Sequence, residues 1–346
     1  MGTNQRNIAI GALAGAGLVA AMSMRAARSR RYMLSGKTAL ITGGSRGLGL
    51  VLARELARRG CTVAICARDA EELGRARDDI RQISPKVAAF VCDVRDKADV
   101  QRLVGDVNQL LGDIDILVND AGVIRVGPVE LQTEEDFREM MDVHFWASLY
   151  TMKAVLPQMK RRGSGRIANI ASIGGKIAVP HLAAYCASKF ALVGLSTAMR
   201  AELIKDGIYV TTVCPGLMRT GSHINAEFKG LREKEYTLFS LMDGSYLTSV
   251  SAEHAAKSIA KAIVRGDAEL VISPQAKIAA KFYGAFPELT ADILGMVDGM
   301  LPGATGHTTA AKGLESQSAL APSILTANID AASERNNELK PGQTIS

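Results

Sequence analysis

From Lys37 onward, short β-branched apolar runs alternate with longer stretches in which apolar residues recur every three or four positions. Seven runs read as strands: Thr38 to Ile41, Thr62 to Cys66, Val87 to Val91, Ile114 to Val118, Arg166 to Ile170, Ile208 to Val213 and Glu269 to Ile272. Strands this uniformly apolar are buried on both faces, which happens when a parallel sheet is covered on each side by helices with a 3.6-residue period. The alternation therefore predicts a doubly wound α/β fold with a seven-stranded, mostly parallel sheet in a single main domain. Right-handed crossovers place a ligand at the carboxyl ends of the strands, near the switch point beside the first strand.

At that point the chain reads Thr42-Gly43-Gly44-Ser45-Arg46-Gly47-Leu48-Gly49. A strand, a glycine-rich turn and a helix start, in that order, make a phosphate cradle. Glycine lets the backbone approach a pyrophosphate, and the free N–H groups and positive end of the helix dipole face the anion. The second strand ends in Cys66-Ala67-Arg68 rather than in an acid that would bind both ribose hydroxyls of NAD. Arg68 and Arg46 form a guanidinium pair suited to a 2′-phosphate, which favours NADP(H), with NAD(H) as the alternative. Asp93 and Val94 close the third strand, where a carboxylate and a backbone N–H can meet an adenine edge. Asn119, Ala121 and Gly122 close the fourth; Ala-Gly leaves room for a ribose or nicotinamide, and Asn119 can tie neighbouring strands.

Tyr185 and Lys189 lie four residues apart in the helical pattern after Pro180, on one helix face. A neighbouring ammonium stabilises phenolate, which lowers the tyrosine pKa toward the range of general acid/base catalysis. Ser172, at the end of the fifth strand, can donate to a substrate oxygen.

With these residues in order, the sequence resembles the short-chain dehydrogenase/reductase family from about Lys37 to Ser273. The resemblance implies a Rossmann fold, catalytic Ser172, Tyr185 and Lys189, and cofactor contacts from Gly43, Ser45, Arg46, Gly47, Leu48, Gly49, Arg68, Asp93, Val94, Asn119, Ala121 and Gly122. It implies also that Tyr185 and Lys189 meet the cofactor, and that Pro215, Gly216 and Thr220 position the carboxamide. Where the family usually has an Asn that helps hold a proton-relay water, this chain has His144. With an ordinary imidazole pKa of ~6.5 such a relay is titratable, and His144→Asn is expected to flatten the acid limb of the pH profile. A packed helix histidine is the alternative.

Charge changes the picture only at the amino terminus. Of the net +6, residues 1–31 supply +5 through Arg6, Arg25, Arg28, Arg30 and Arg31 with no acid, so the body is nearly neutral and a nucleic-acid partner is not expected. Residues 8–24 are uncharged and as a helix span roughly 26 Å, at the lower limit for a membrane. The arginines that follow predict a membrane anchor with the catalytic domain on the cytoplasmic side; a cleaved signal peptide, or a helix packed on a cytoplasmic domain or on the membrane surface, are the alternatives. Five scattered cysteines lack metal-ligand spacing and read as buried hydrophobes, so no metal is expected.

Residues 1–33 are thus taken as anchor and basic flank, 34–275 as the Rossmann domain, 276–305 as an apolar helical extension and 306–346 as a polar, mostly disordered tail. Residues 221–250 resemble a substrate-covering lid. The extension suits core or interface packing, a cap on a lipophilic pocket, or a membrane surface. The expected activity is interconversion of a secondary alcohol and a ketone on a lipophilic small molecule, in a homodimer or homotetramer. The competing readings are an NAD-linked dehydrogenase working oxidatively and a non-catalytic nucleotide-binding scaffold or sensor.

Overall fold

The computed structural model describes residues 32–345, so the expected anchor at residues 8–24 and its arginine flank lie outside the described residues. Among the described residues, no helix is long and apolar enough to cross a membrane. The chain runs β1 (Thr38–Thr42), α1 (Gly47–Arg58), β2 (Thr62–Ala67), α2 (Ala70–Arg81), β3 (Val87–Val91), α3 (Lys97–Leu111), β4 (Ile116–Asn119), β5 (Arg125–Val126) and α4 (Glu134–Met141). A π-helical turn, Asp142–Trp146, joins α4 to α5 (Ala147–Arg162); β6 (Gly165–Ile170), α6 (Ala183–Leu203) and β7 (Ile208–Pro215) follow. Then come β8 (Leu217–Arg219), β9 (Glu227–Gly230), α7 (Arg232–Gly244), β10 (Ser249–Ser251), α8 (Ala252–Arg265) and β11 (Glu269–Ile272). The chain closes with α9 (Pro274–Ala285), α10 (Pro287–Asp298), β12 (His307–Lys312) and α11 (Ala327–Arg335).

Seven strands form one sheet in the order β11-β7-β6-β4-β1-β2-β3, and every pairing is parallel. All seven expected strands are present. The fourth begins two residues later than its apolar run, at Ile116, because the Asp115 carboxylate turns onto the Thr38 N–H and Lys37. Alternation along each strand divides the core. Ala39, Ile41, Val63, Ile65, Ile116 and Val118 pack with α1, α2 and α8 on one face. Leu40, Ala64, Leu117, Ile167 and Val210 pack with α3, α5 and α6 on the other. Burying both faces removes large apolar side chains from water at roughly 1.5–3 kcal/mol each, which is what holds the layers together.

Two small sheets lie outside the expected pattern: β10 beside β8, and β12-β9-β5. The latter closes over a charge cluster in which Arg125 pairs with Asp136, Glu139 and Glu227, and Lys229 pairs with Asp136. Residues 306–346 were expected to be mostly disordered; instead β12 and α11 are formed, and Ile329, Ala332 and Ser333 of α11 are buried. Their order comes from long-range polar contacts that leave no local periodicity. Ser333 Oγ donates to Gly221 O, Asn336 Nδ2 to Thr220 O, and the Arg54 guanidinium to Arg335 O. The extension does not pack into the core. Only Ala276 of α9 and Thr290 of α10 are buried, while Ile278, Phe286, Leu289 and Met296 face outward.

Candidate active site

A cleft of about 1070 Å³ opens across the carboxyl ends of the sheet strands, beside β1. Gly43, Ser45, Arg46, Gly47 and Leu48 line its outer part, with Arg68, Asp93 and Val94 from the ends of β2 and β3. Ala121, Gly122, His144, Ser172, Tyr185, Lys189, Pro215, Gly216 and Thr220 line it further along. Two expected residues do not. Asn119 is buried with its amide donating to Asn169 Oδ1 and its carbonyl accepting from Thr151 Oγ1, so it ties β4 to β6 and α5. Gly49 lies behind the loop, where a Cβ would stand 2.2 Å from the Gly43 carbonyl.

The loop needs its glycines for close approach. Gly43 has φ +68°, and a Cβ there would meet the Ala121 backbone at 2.8 Å. This backbone-on-backbone contact leaves a cradle that fits the pyrophosphate and ribose of a dinucleotide, as the N–H groups at the start of α1 require an anion or carbonyl partner.

At the inner end, β6 stops at Ile170, and the turn after it presents Ser172, whose Oγ accepts from Gly174 N at 3.0 Å. The Ser172 hydroxyl is hydrogen-bonded to the Tyr185 phenol, which projects from the first turn of α6. Lys189, one turn on, is buried, donates to Ile170 O at 2.9 Å and lies 5.6 Å from the Tyr185 ring centre. The expected lowering of the tyrosine is not what the structure gives. Burial pushes Tyr185 up to about 12, with only the Ser172 hydrogen bond opposing. Desolvation outweighs that hydrogen bond because the phenol is wholly enclosed and its ionised form would lose water. Burial also pushes Lys189 down to about 8, against the pull of Asp120.

Asp120, absent from the expected set, sits between Gly49 and Lys189 with its carboxyl pushed up to about 8 by burial. Its signal in the sequence was its place inside the Asn119 to Gly122 turn, where the neighbouring small residues drew the functional reading. Glu72 was also missed: its carboxylate accepts from Ser45 Oγ and Arg46 Nη1. Being helical and acidic, it carried no local mark.

His144 sits in the π-helical turn, fully enclosed. Its Nε2 accepts from Val123 N at 3.3 Å, and its Nδ1 lies 2.7 Å from Ser188 Oγ, which in turn donates to Tyr185 O. Nδ1 therefore carries the proton. Burial, aided by the Lys189 charge, holds the imidazole well below its usual pKa, so the expected titratable relay is replaced by a neutral, fully bonded ring. His181, left out of the expected site, meets α7: its Nδ1 lies 2.7 Å from Glu235 Oε1. All five cysteines are free and buried.

The fold and this cleft have relatives. Residues 37–229 match the family model for short chain dehydrogenases. A dehydrogenase/reductase SDR family protein 7-like from Anopheles gambiae is 36% identical over 263 residues, covering 74% of this chain and 81% of that relative. The mouse 17-beta-hydroxysteroid dehydrogenase 13 is 33% identical over 195 residues, 56% of this chain and 64% of that relative. Among solved structures, a short-chain dehydrogenase from Streptomyces avermitilis superposes with TM-score 0.64 at 30% identity, over 76% of this chain and 98% of that one. The L-sorbose reductase of Gluconobacter frateurii, solved with NADPH and L-sorbose, gives 0.63 at 25% identity, over 69% and 95%. The parallel sheet, the glycine loop and these matches agree, and the chain belongs to the short-chain dehydrogenase/reductase family.

Proposed function

We propose that this protein is an NADP(H)-dependent oxidoreductase that interconverts a secondary alcohol and a ketone on a lipophilic small molecule. The observation that carries the reading is the convergence of Ser172, Tyr185 and Lys189 at one end of a cleft whose other end is a glycine-loop phosphate cradle. A bound dihydronicotinamide supplies the hydride. The Ser172 and Tyr185 hydroxyls hold the carbonyl oxygen, and Tyr185 yields its proton as negative charge grows there. Tyr185 donates as a neutral phenol, and the Lys189 ammonium, 5.6 Å from its ring centre, steadies the phenolate left behind. His144 is a positioning residue, holding the first turn of α6 through Ser188.

Arg68, exposed at the end of β2 with no acid in the ribose position, supports the choice of NADP(H), as does the NADPH complex of the sorbose reductase neighbour. Ile173, Val179, Leu182, Phe239 and Met242 line the cleft beyond Tyr185 and favour an apolar substrate. The arginine-flanked segment 8–24 and the outward apolar residues of α9 and α10 favour attachment to the cytoplasmic side of a membrane. Trp146, half exposed and stacked on Tyr150, favours pairing of subunits through that helix.

The test compares NADPH and NADH binding by thermal shift, then turnover over a panel of lipophilic ketones. Arg68→Ala is expected to weaken NADPH roughly tenfold, the equivalent of one charge-assisted contact, and to leave NADH within about twofold. Tyr185→Phe is expected to bind NADPH yet lose at least roughly a hundredfold in turnover. A protein stabilised by neither nucleotide would sink the reading. An NAD(H)-linked enzyme working oxidatively is the second reading, favoured by the hold of Glu72 on Ser45 and Arg46. Indifference of both cofactors to Arg68→Ala would select it.

A further inference from the structure

Three donors of the glycine loop, the Ser45 hydroxyl, the Arg46 guanidinium and the Gly47 N–H, have partners from elsewhere in the chain. Ser45 and one side of Arg46 are held by Glu72 of α2. The other side of Arg46 is held from the far end of the sequence, its Nε lying 3.3 Å from Glu338 Oε2. The Gly47 N–H, the first of α1, donates to the Asn336 carbonyl at 2.9 Å. Glu338 is no surface group: its side chain is 2% exposed, and Oε2 also accepts from Asn225 Nδ2 at 2.8 Å. It lies so close that a Cβ on Gly47 would come 2.7 Å from Glu338 Oε1.

The segment is fastened on both sides of the cleft mouth. Arg54 of α1 donates to Asn336 Oδ1 and Arg335 O, and Arg75 of α2 donates to Asn337 Oδ1. Asn337 Nδ2 reaches Ser45 O and Glu72 O, while Asn336 Nδ2 reaches Thr220 O. Glu338, Lys340 and Gln343 line the same cleft as Leu48 and Tyr185.

A guanidinium beside a glycine turn and a helix N-terminus is a site for an anion. Here the anion present is the chain's own carboxylate, and the first helix N–H is closed by the chain's own carbonyl. We infer that residues 336–338 are an internal competitor for the cofactor phosphates, with Glu338 holding Arg46 and Asn336 holding the Gly47 N–H until a phosphate-bearing dinucleotide displaces them. The inference rests on the NADP(H) reading and deepens it, since Glu338 becomes a determinant of cofactor affinity. A carboxylate and a phosphate about 3–4 Å apart in a poorly solvated cleft repel strongly, so the two do not share Arg46. Burial pushes the Glu338 carboxyl up to about 7 against the pull of Arg46, so the charged form is held at a desolvation penalty that departure of the segment relieves. Apparent cofactor affinity is then reduced by the fraction of molecules in which the segment is seated.

The test uses the full chain and two probes, NADPH and adenosine 2′,5′-bisphosphate, by calorimetric titration. Glu338→Gln keeps the shape and removes the charge, and is expected to tighten both probes by at least about threefold. Asn225→Ala, which frees Glu338 without touching the glycine loop, is expected to change affinity in the same direction. Hydrogen exchange of residues 336–345 is expected to speed up when wild-type protein is saturated with NADPH. Unchanged or weaker binding by Glu338→Gln, or slower exchange of the segment with NADPH, overturns the competitor and leaves the cofactor reading standing. Failure of wild type and both variants to bind either probe removes the cofactor reading and this inference together.

Discussion

At the scale of single residues, burial rather than neighbouring charge sets the chemistry of this site. Tyr185 is pushed up and Lys189 down, each toward its neutral form, although a pair on one helix face suggested that the ammonium would lower the tyrosine. His144 follows the same rule. With both ring nitrogens bonded and its pKa depressed, it stays neutral across the range in which an ordinary histidine titrates. His144→Asn is therefore expected to leave the acid limb of the pH–rate profile in place, and a displaced limb would contradict the neutral ring. His144→Ala leaves the Val123 N–H and the Ser188 hydroxyl short of a buried partner, a loss of about 1–3 kcal/mol that chemical denaturation would register.

At the scale of elements, helix α7 is tied to strand β8 by Asp243, whose Oδ1 accepts from Met218 N at 3.1 Å. Burial pushes this carboxyl up to about 7, with the Met218 N–H and Arg219 opposing. The folded state thus holds a proton that an unfolded aspartate gives up near pH ~4. Its contribution to stability is complete below that value and is lost as pH rises through about 7. Asp243→Asn keeps the acceptor and removes the titration, so its Tm is expected to fall less than that of the wild type between about pH 4 and about pH 7. Parallel curves for the two proteins would rule out a protonated Asp243. The element before α7, β9, depends on the Arg125 cluster through Glu227 and Lys229. Removing that cation in Arg125→Ala leaves Asp136 one buried cation, Lys229, and is expected to cost on the order of 3 kcal/mol in a urea titration, whereas a surface pair would cost under about 1 kcal/mol.

At the scale of the whole molecule, the chain closes on itself. Its described carboxyl end crosses from Gly221 and Asn225, just after β8, to the glycine loop at Ser45 and Gly47. The α9–α10 pair does the opposite, carrying apolar side chains outward beside a domain whose core is complete without them.

The sheet, its strand positions and the glycine loop were legible in the sequence because parallel strands buried on both faces must be continuously apolar and because a backbone approach as close as Gly43 to Ala121 admits only glycine. Ser172, Tyr185 and Lys189 were legible for a similar reason: a strand end and one turn of helix fix their spacing. What the sequence could not contain was depth. Whether Tyr185 and His144 are neutral, whether Asn119 faces the cleft or a neighbouring strand, and whether Glu338 reaches Arg46 depend on which segments cover which. The tail shows this most plainly, since its polar residues carry no period yet become fixed once Arg54, Asn225 and Thr220 offer partners far away in the chain. Local pattern determined the scaffold, and only tertiary packing, through desolvation and long-range hydrogen bonds, decided the charge state and accessibility of the site it carries.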